Sequence, residues 1–249
     1  SSDLWAYWAT HDQDATLQVD HGLWQTILDG SVQPGGDHIN RVDYRGFVKA
    51  NEQLLDTYLA YLQNLEPTSM SPDQQLAFWI NLYNAQTVKV VLGYPDKDSI
   101  LKMRPRLLSV GPWDEKYLQI EGKEVSLNDI EHRILRPIWA GHRLHFALNC
   151  ASLGCPDLST EAYRAETIQG QLQQAEDLFL SQPRAIELTQ DGVLMLSSLF
   201  DWYLEDFADS EQALLQFLAE RAPNLATTLR THQSKIRYHY DWALNGATP

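Results

Sequence analysis

Cysteine is scarce in this chain: Cys150 and Cys155 are the two in 249 residues. Two cysteines exclude a disulfide-dense scaffold. His132, His145, Cys150 and Cys155 are zinc-type ligands, but a Cys-x4-Cys spacing lacks the short Cys-x2-Cys pairs of structural sites, so no metal is expected. Basic residues are also few. Lys and Arg total 19 against 33 Asp and Glu, a formal charge of −14. That balance argues against nucleic acid or an anionic membrane surface as partner. No apolar run approaches the roughly 20 residues that span a bilayer. Gly-x-Gly-x-x-Gly, a Walker loop, His-Glu-x-x-His and Gly-x-Ser-x-Gly are all missing. Their absence argues against the common nucleotide-binding, zincin and serine-hydrolase classes, and no cofactor is expected. No signal peptide is present, and the opening Ser1-Ser2-Asp3 carries no methionine, which points to an upstream segment removed from a mature chain.

What is present reads as helix-rich with a few antiparallel strands. Asp3 to Asp29 is aromatic and partly helical, and Gly30 to Asp37 reads as a loop. Leu54, Leu55, Tyr58, Leu59 and Leu62 recur at helical spacing. After the break at Pro67–Pro72, Ser71 offers an N-cap and Pro72 a first helical position for a helix that ends before Gly93-Tyr94-Pro95. Apolar residues surround that helix on almost all sides, so it is expected to be buried. Asn81 and Asn84 lie on it, and buried amides require partners. They are expected to staple neighbouring backbone or to fix a catalytic side chain or ligand. Glu121-Gly122-Lys123 reads as a hairpin turn, and so does Gln190-Asp-Gly192. Ser126 and Asp129 mark a helix start leading into Leu127–Trp139. Arg143 to Asn149 alternates as a strand would, with the cysteines in the loop beyond it. The fold class expected is α+β: one helix-rich domain over 1–249 around a small antiparallel sheet, with an N-terminal helical extension over about 1–66.

The chemistry-bearing residues cluster around the cysteines. Cys150 opens a loop of small residues (Ala151, Ser152, Gly154) whose backbone N–H groups could serve an oxyanion. A cysteine nucleophile also needs a base to make thiolate. Cys150 and Cys155 fit a reactive thiol, a buried structural thiol or a small-loop disulfide. Strand parity puts His145 on the face opposite Cys150, which makes His132 the preferred base and His145 the second candidate. Glu131 falls on an apolar stripe with Leu127, Ile130, Ile134 and Leu135. There it must be paired, either orienting a histidine in a Cys-His-Glu set or bridging to Arg136 or Arg143.

Five segments in order carry a resemblance: Ala77-Phe-Trp-Ile-Asn-Leu-Tyr-Asn-Ala85, Leu127-Asn-Asp-Ile-Glu-His-Arg-Ile-Leu-Arg136, Arg143-Leu-His-Phe-Ala-Leu-Asn-Cys-Ala-Ser-Leu-Gly-Cys-Pro156, Trp202-Tyr-Leu-Glu-Asp-Phe207 and Tyr240-Asp-Trp-Ala-Leu-Asn245. Together they resemble domain-of-unknown-function family 547. The resemblance implies a kinship with papain-like or transglutaminase-like thiol enzymes and a periplasmic or secreted location. It also implies a scaffold role as an alternative. The expected function is a cysteine-dependent hydrolase or acyl transferase acting on a peptide or a small thiol compound. Cys150 would be the nucleophile, His132 or His145 the base and Glu131 the orienting group. Asn81, Asn84, Asn149, Cys155 and Arg143 would contact substrate. The alternative is a non-catalytic module that binds the same ligands.

Overall fold

The computed structural model describes residues 3–248; the Ser1-Ser2 opening and Pro249 lie outside. The chain begins with α1 (Gly22–Ser31), the hairpin β1 (Val32–Pro34) and β2 (Asn40–Val42), and then α2 (Glu52–Gln63). The long α3 (Pro72–Leu92) follows, then the hairpin β3 (Leu118–Ile120) and β4 (Lys123–Val125). A π-wound segment, Asp129–Leu135, runs directly into α4 (Arg136–Trp139), and α5 (Leu144–Ala147) and α6 (Ile168–Leu180) come next. The C-terminal third holds β5 (Ile186–Leu188), β6 (Leu194–Ser197), α7 (Ser198–Trp202), α8 (Leu204–Phe207), α9 (Glu211–Arg221), α10 (Ala226–Thr231) and β7 (Ile236–His239). The fold is helix-rich α+β.

Local sequence explains the element ends. Ser71 Oγ accepts from the Gln74 N–H at 3.3 Å, Pro72 occupies the first turn, and the helix stops at Gly93. Almost every residue of α3 is buried. Between β3 and β4, Glu121 and Gly122 have φ of 48° and 73°. Two successive left-handed residues make the mirror-image turn that matches strand twist. Ser126 and Asp129 cap each other: the Asp129 N–H donates to Ser126 Oγ at 3.1 Å, and the Ser126 N–H donates to Asp129 Oδ2 at 2.9 Å.

Among the described residues the strands lie in three small sheets, β1–β2, β3–β4 and β5–β6–β7, with β6 and β7 parallel. Two expectations are corrected. Gly30–Asp37 is not all loop, since Val32–Pro34 pairs antiparallel with Asn40–Val42. Arg143–Asn149 is not a strand: residues 144–147 make one helical turn and Leu148 is extended. In so short a run, period-2 alternation does not separate a strand from a buried turn. Here Leu144, His145, Phe146 and Ala147 are all buried.

Two apolar cores form. The larger surrounds α3 and includes Trp8, Trp24, Tyr58 and Trp79, so residues 3–66 contribute to it directly. The smaller gathers Phe179, Phe200 and Phe207 with the C-terminal sheet and helices. The turn α5 joins them, with Leu144 and Ala147 in the first core and Phe146 in the second.

Candidate functional site

A cavity of about 280 Å³ opens at the seam between the two cores. Its lining includes five of the residues singled out from sequence, Glu131, His132, His145, Cys150 and Cys155. The π-wound turn supplies Glu131 and His132, and α5 supplies His145. π-turns inside helices recur at functional sites. Opposite lies an aromatic wall. Trp202 packs on Tyr240 at 4.7 Å and on Trp242 at 5.7 Å between ring centroids, and Trp113 continues the wall at 6.0 Å from Trp242. Trp202 is nearly half exposed, so apolar surface faces solvent at the cavity mouth.

Cys150 and Cys155 are joined by a disulfide. Neither sulfur is therefore a thiolate in this structure, and nucleophilic chemistry at Cys150 requires prior reduction. Cys150 is half-buried and Cys155 buried. The loop between them is tightly held. Ala151 adopts φ 62°, an unfavourable value for alanine. The Leu153 and Gly154 N–H groups donate to the Ala243 and Asp241 carbonyls at 2.8 Å each, and Ala151 N–H donates to Asn149 Oδ1 at 3.0 Å. Of the loop N–H groups expected to serve an oxyanion, that of Ala151 is thus occupied by Asn149 and that of Gly154 by the C-terminal segment. Arg184 donates to the Leu153 and Cys155 carbonyls and pairs with Asp157 at 2.8 Å, anchoring the loop from below.

His145, not His132, has a carboxylate partner. His145 Nε2 lies 2.6 Å from Asp206 Oδ2, and Arg136 Nε donates to the same oxygen at 2.6 Å. Burial raises the proton affinity of Asp206, but hydrogen bonds and charge from His145 and Arg136 outweigh it and hold the carboxyl well below its usual range. With Nε2 engaged, Nδ1 is the nitrogen His145 can offer a ligand. Tyr203 stacks on the His145 ring at 4.3 Å, and the Arg136 guanidinium sits 4.8 Å above the Tyr203 ring. His132 Nδ1 lies 3.1 Å from Arg136 Nη1.

Glu131 orients neither histidine: among the described residues no hydrogen bond joins them. It accepts from the Tyr83 hydroxyl at 3.3 Å. Burial first, and the Glu131 charge second, raise Tyr83 and Tyr203 well above the usual phenol range. Both phenols therefore stay protonated as donors. The expected bridges from Glu131 to Arg136 or Arg143 are not formed. Arg136 pairs with Asp206 and Glu205, and Arg143 Nε pairs with Glu176 at 2.7 Å.

The remaining predicted substrate contacts brace the fold. Asn81 exchanges two bonds with the Tyr163 backbone, at 2.8 and 3.0 Å. Asn84 donates to the Ala147 carbonyl and accepts from the Asn149 N–H, both at 2.9 Å. Asn149 is buried, donates to the Pro156 carbonyl at 2.9 Å and accepts from Ala151 and Asn245. None of the three lines the cavity, and neither does Arg143. Asn84 and Asn149 fix the cysteine loop and the turn before it, while Asn81 holds the Tyr163 backbone and Arg143 holds Glu176.

Comparison with known proteins covers part of this site. Residues 67–180 match the family described as Protein of unknown function, DUF547. The matched segment holds α3, the π-wound turn, α5 and the disulfide loop. Asp206, Tyr203 and the aromatic residues Trp202, Tyr240 and Trp242 lie outside it. No curated protein and no solved structure matches the chain.

Sequence reasoning missed Asp206, Tyr203 and Tyr240 as site residues. The aromatic density of Tyr238–Trp242 was the available signal for Tyr240, since such a segment rarely stays unpacked.

Proposed function

We propose that this protein is a cysteine-dependent hydrolase or acyl transferase acting on a peptide or a small thiol compound, with Cys150 as the nucleophile once its bond to Cys155 is reduced. One observation carries the reading: Cys150 shares a cavity with His145, and His145 is held by the carboxylate of Asp206. That is the order of groups a thiol nucleophile uses: sulfur, imidazole, orienting carboxylate. Asp206 takes the orienting role foreseen for Glu131, and His145 takes the base role. Glu131, Tyr83 and Tyr203 supply a polar edge that can bind an amide or amine, while the aromatic wall holds the apolar body of the substrate. The kinship with papain-like or transglutaminase-like enzymes would supply the same three groups. In those folds, however, the nucleophile opens the central helix, whereas α3 here has no cysteine. A periplasmic or secreted location suits a disulfide-bonded protein.

The test is alkylation of the reduced protein. Iodoacetamide should label Cys150 faster than it labels free glutathione at pH 7, and His145→Gln should abolish the advantage. Labelling at the rate of an unperturbed thiol would remove the nucleophile. The disulfide favours a second reading, a module that binds peptide or thiol without turnover. Reduced protein that retains ligand affinity and shows no acyl transfer would select it.

A further inference from the structure

The environment of the two sulfurs is asymmetric. Cys155 Sγ accepts from the Cys150 backbone N–H at 3.0 Å and lies 3.0 Å from the Tyr240 hydroxyl and 3.3 Å from Ser152 Oγ. Neither sulfur of a disulfide carries a proton, so Tyr240 is the donor. Burial raises Tyr240 far above the usual phenol range, so its proton stays in place at neutral pH. Ser152 has one proton and three acceptors within reach, Tyr240 Oη at 3.1 Å, the Cys150 sulfur at 3.2 Å and the Cys155 sulfur at 3.3 Å. A disulfide sulfur is the weaker acceptor, whereas a thiolate would be the stronger. The Arg184 guanidinium, paired with Asp157, braces the loop by donating to the Cys155 carbonyl. Cys150 Sγ also lies 3.2 Å from both hydroxyls, but it has no backbone donor among the described residues, and Cys150 is the more exposed residue of the two that line the cavity.

We infer that the Cys150–Cys155 bond is itself a reactive site: a thiol entering the cavity attacks Cys150 Sγ and expels Cys155 as a thiolate into this cradle of donors. The reaction is disulfide exchange by the oxidised protein, and it goes beyond the hydrolytic reading, which concerns the reduced one. Atoms and electrons balance. The incoming thiolate RS⁻ forms an S–S bond to Cys150 Sγ as the Cys150–Cys155 bond breaks, and the bonding pair leaves on Cys155 Sγ. A second thiolate then attacks the sulfur of R, and the bonding pair leaves on Cys150 Sγ, which releases the oxidised disulfide RSSR and leaves both cysteines reduced. Two electrons pass from the thiol substrate to the protein. A stabilised leaving thiolate departs faster, which is the contribution of Cys150 N–H, Tyr240 and Ser152. The aromatic wall favours thiols with an apolar body.

The test treats the full oxidised protein with glutathione, quenches in acid and maps the adduct by mass spectrometry. Glutathione should appear on Cys150, at a second-order rate at least tenfold above that for hydroxyethyl disulfide under the same conditions. Tyr240→Phe keeps the ring and removes the donor, so it should slow the reaction about tenfold, the effect of one hydrogen bond to a charged group. Ser152→Ala gives an independent reading if Tyr240→Phe fails to fold. An adduct on Cys155, a rate no greater than that of the reference disulfide, or an unchanged rate in the folded variants would overturn the proposal. The two readings fail separately: reduced protein without acyl transfer leaves this exchange intact, and an inert disulfide leaves hydrolysis after chemical reduction open.

Discussion

Asp206 Oδ2 stands 2.6 Å from His145 Nε2, across 61 residues of sequence, and so ties the second core to the turn that precedes the cysteine loop. Arg136 donates to the same oxygen, so one carboxylate holds both an imidazole and a guanidinium. Asp206→Asn keeps the shape and removes the charge. It should lower the reactivity of reduced Cys150 toward iodoacetamide and cost about 2 kcal/mol of stability by leaving Arg136 only its exposed partner Glu205. The native carboxyl is held below its usual range, so its contribution is complete above about pH 4 and is lost as pH falls through the native value. Urea unfolding at pH 7 and pH 3 should therefore show a smaller acid loss in the variant than in the wild type.

How much of this was legible in sequence depends on range. Ser71, Pro72 and Gly93 bound α3 as expected because caps and breakers act within a turn of the chain. Glu131, His132, His145 and the cysteines reach one cavity as residue types that apolar surroundings do not tolerate unpaired. Asp206 and Tyr240 were invisible as partners because their contacts span 61 and 90 residues. The alternation of Arg143, His145 and Asn149 misled for a different reason. His145 and Asn149 are polar because each has a distant partner, Asp206 and Asn245 respectively, and not because one face of a strand meets water.

His21 makes stability depend on pH above the carboxylate range. It is buried, its Nδ1 lies 2.7 Å from the Tyr58 hydroxyl, and Asn81 Nδ2 approaches the same nitrogen at 3.3 Å. Burial, with the charge of Arg164 added and that of Asp20 opposing, lowers its pKa to about 4. The unfolded chain binds this proton near pH 6.5, the native chain near 4. Stability is therefore complete above about pH 6.5 and falls with acidification at about 1.4 kcal/mol per pH unit toward pH 4. Between pH 7 and pH 5 the wild type should lose about 2 kcal/mol through this group. His21→Gln should flatten that interval in denaturant titrations; an equal slope in both proteins would assign the loss elsewhere.

Glu176 is fully buried on α6 and gathers an imidazole and two guanidiniums: His142 Nε2 at 3.1 Å, Arg143 Nε at 2.7 Å and Arg221 Nε at 2.8 Å. Burial favours its protonated form, but His142 and Arg143 prevail and the carboxyl stays below its usual range. The cluster joins α5, α6 and α9. Glu176→Gln leaves Arg143 without its counter-charge and Arg221 with only the exposed Glu220, and should cost about 3 kcal/mol, read as a lower thermal midpoint. Glu205→Gln, which changes an exposed partner of Arg136, should move that midpoint little.

Gly154 sets the position of Tyr240 over the sulfurs. A Cβ there would lie 2.9 Å from the Asp241 backbone nitrogen and 2.9 Å from the Tyr240 ring. The Gly154 N–H donates to the Asp241 carbonyl at 2.8 Å, so the two backbones cannot separate without losing that bond. Gly154→Ala should therefore displace the C-terminal segment and cost about 1–3 kcal/mol by overpacking. Because Tyr240 packs 4.7 Å from Trp202 and 4.6 Å from Trp242, the displacement should also change the near-ultraviolet circular dichroism of that aromatic group. If Tyr240 holds the leaving sulfur, Gly154→Ala should slow glutathione exchange even though it alters neither cysteine nor hydroxyl. Exchange at the wild-type rate alongside a changed aromatic spectrum would show that the phenol can move without consequence for the disulfide.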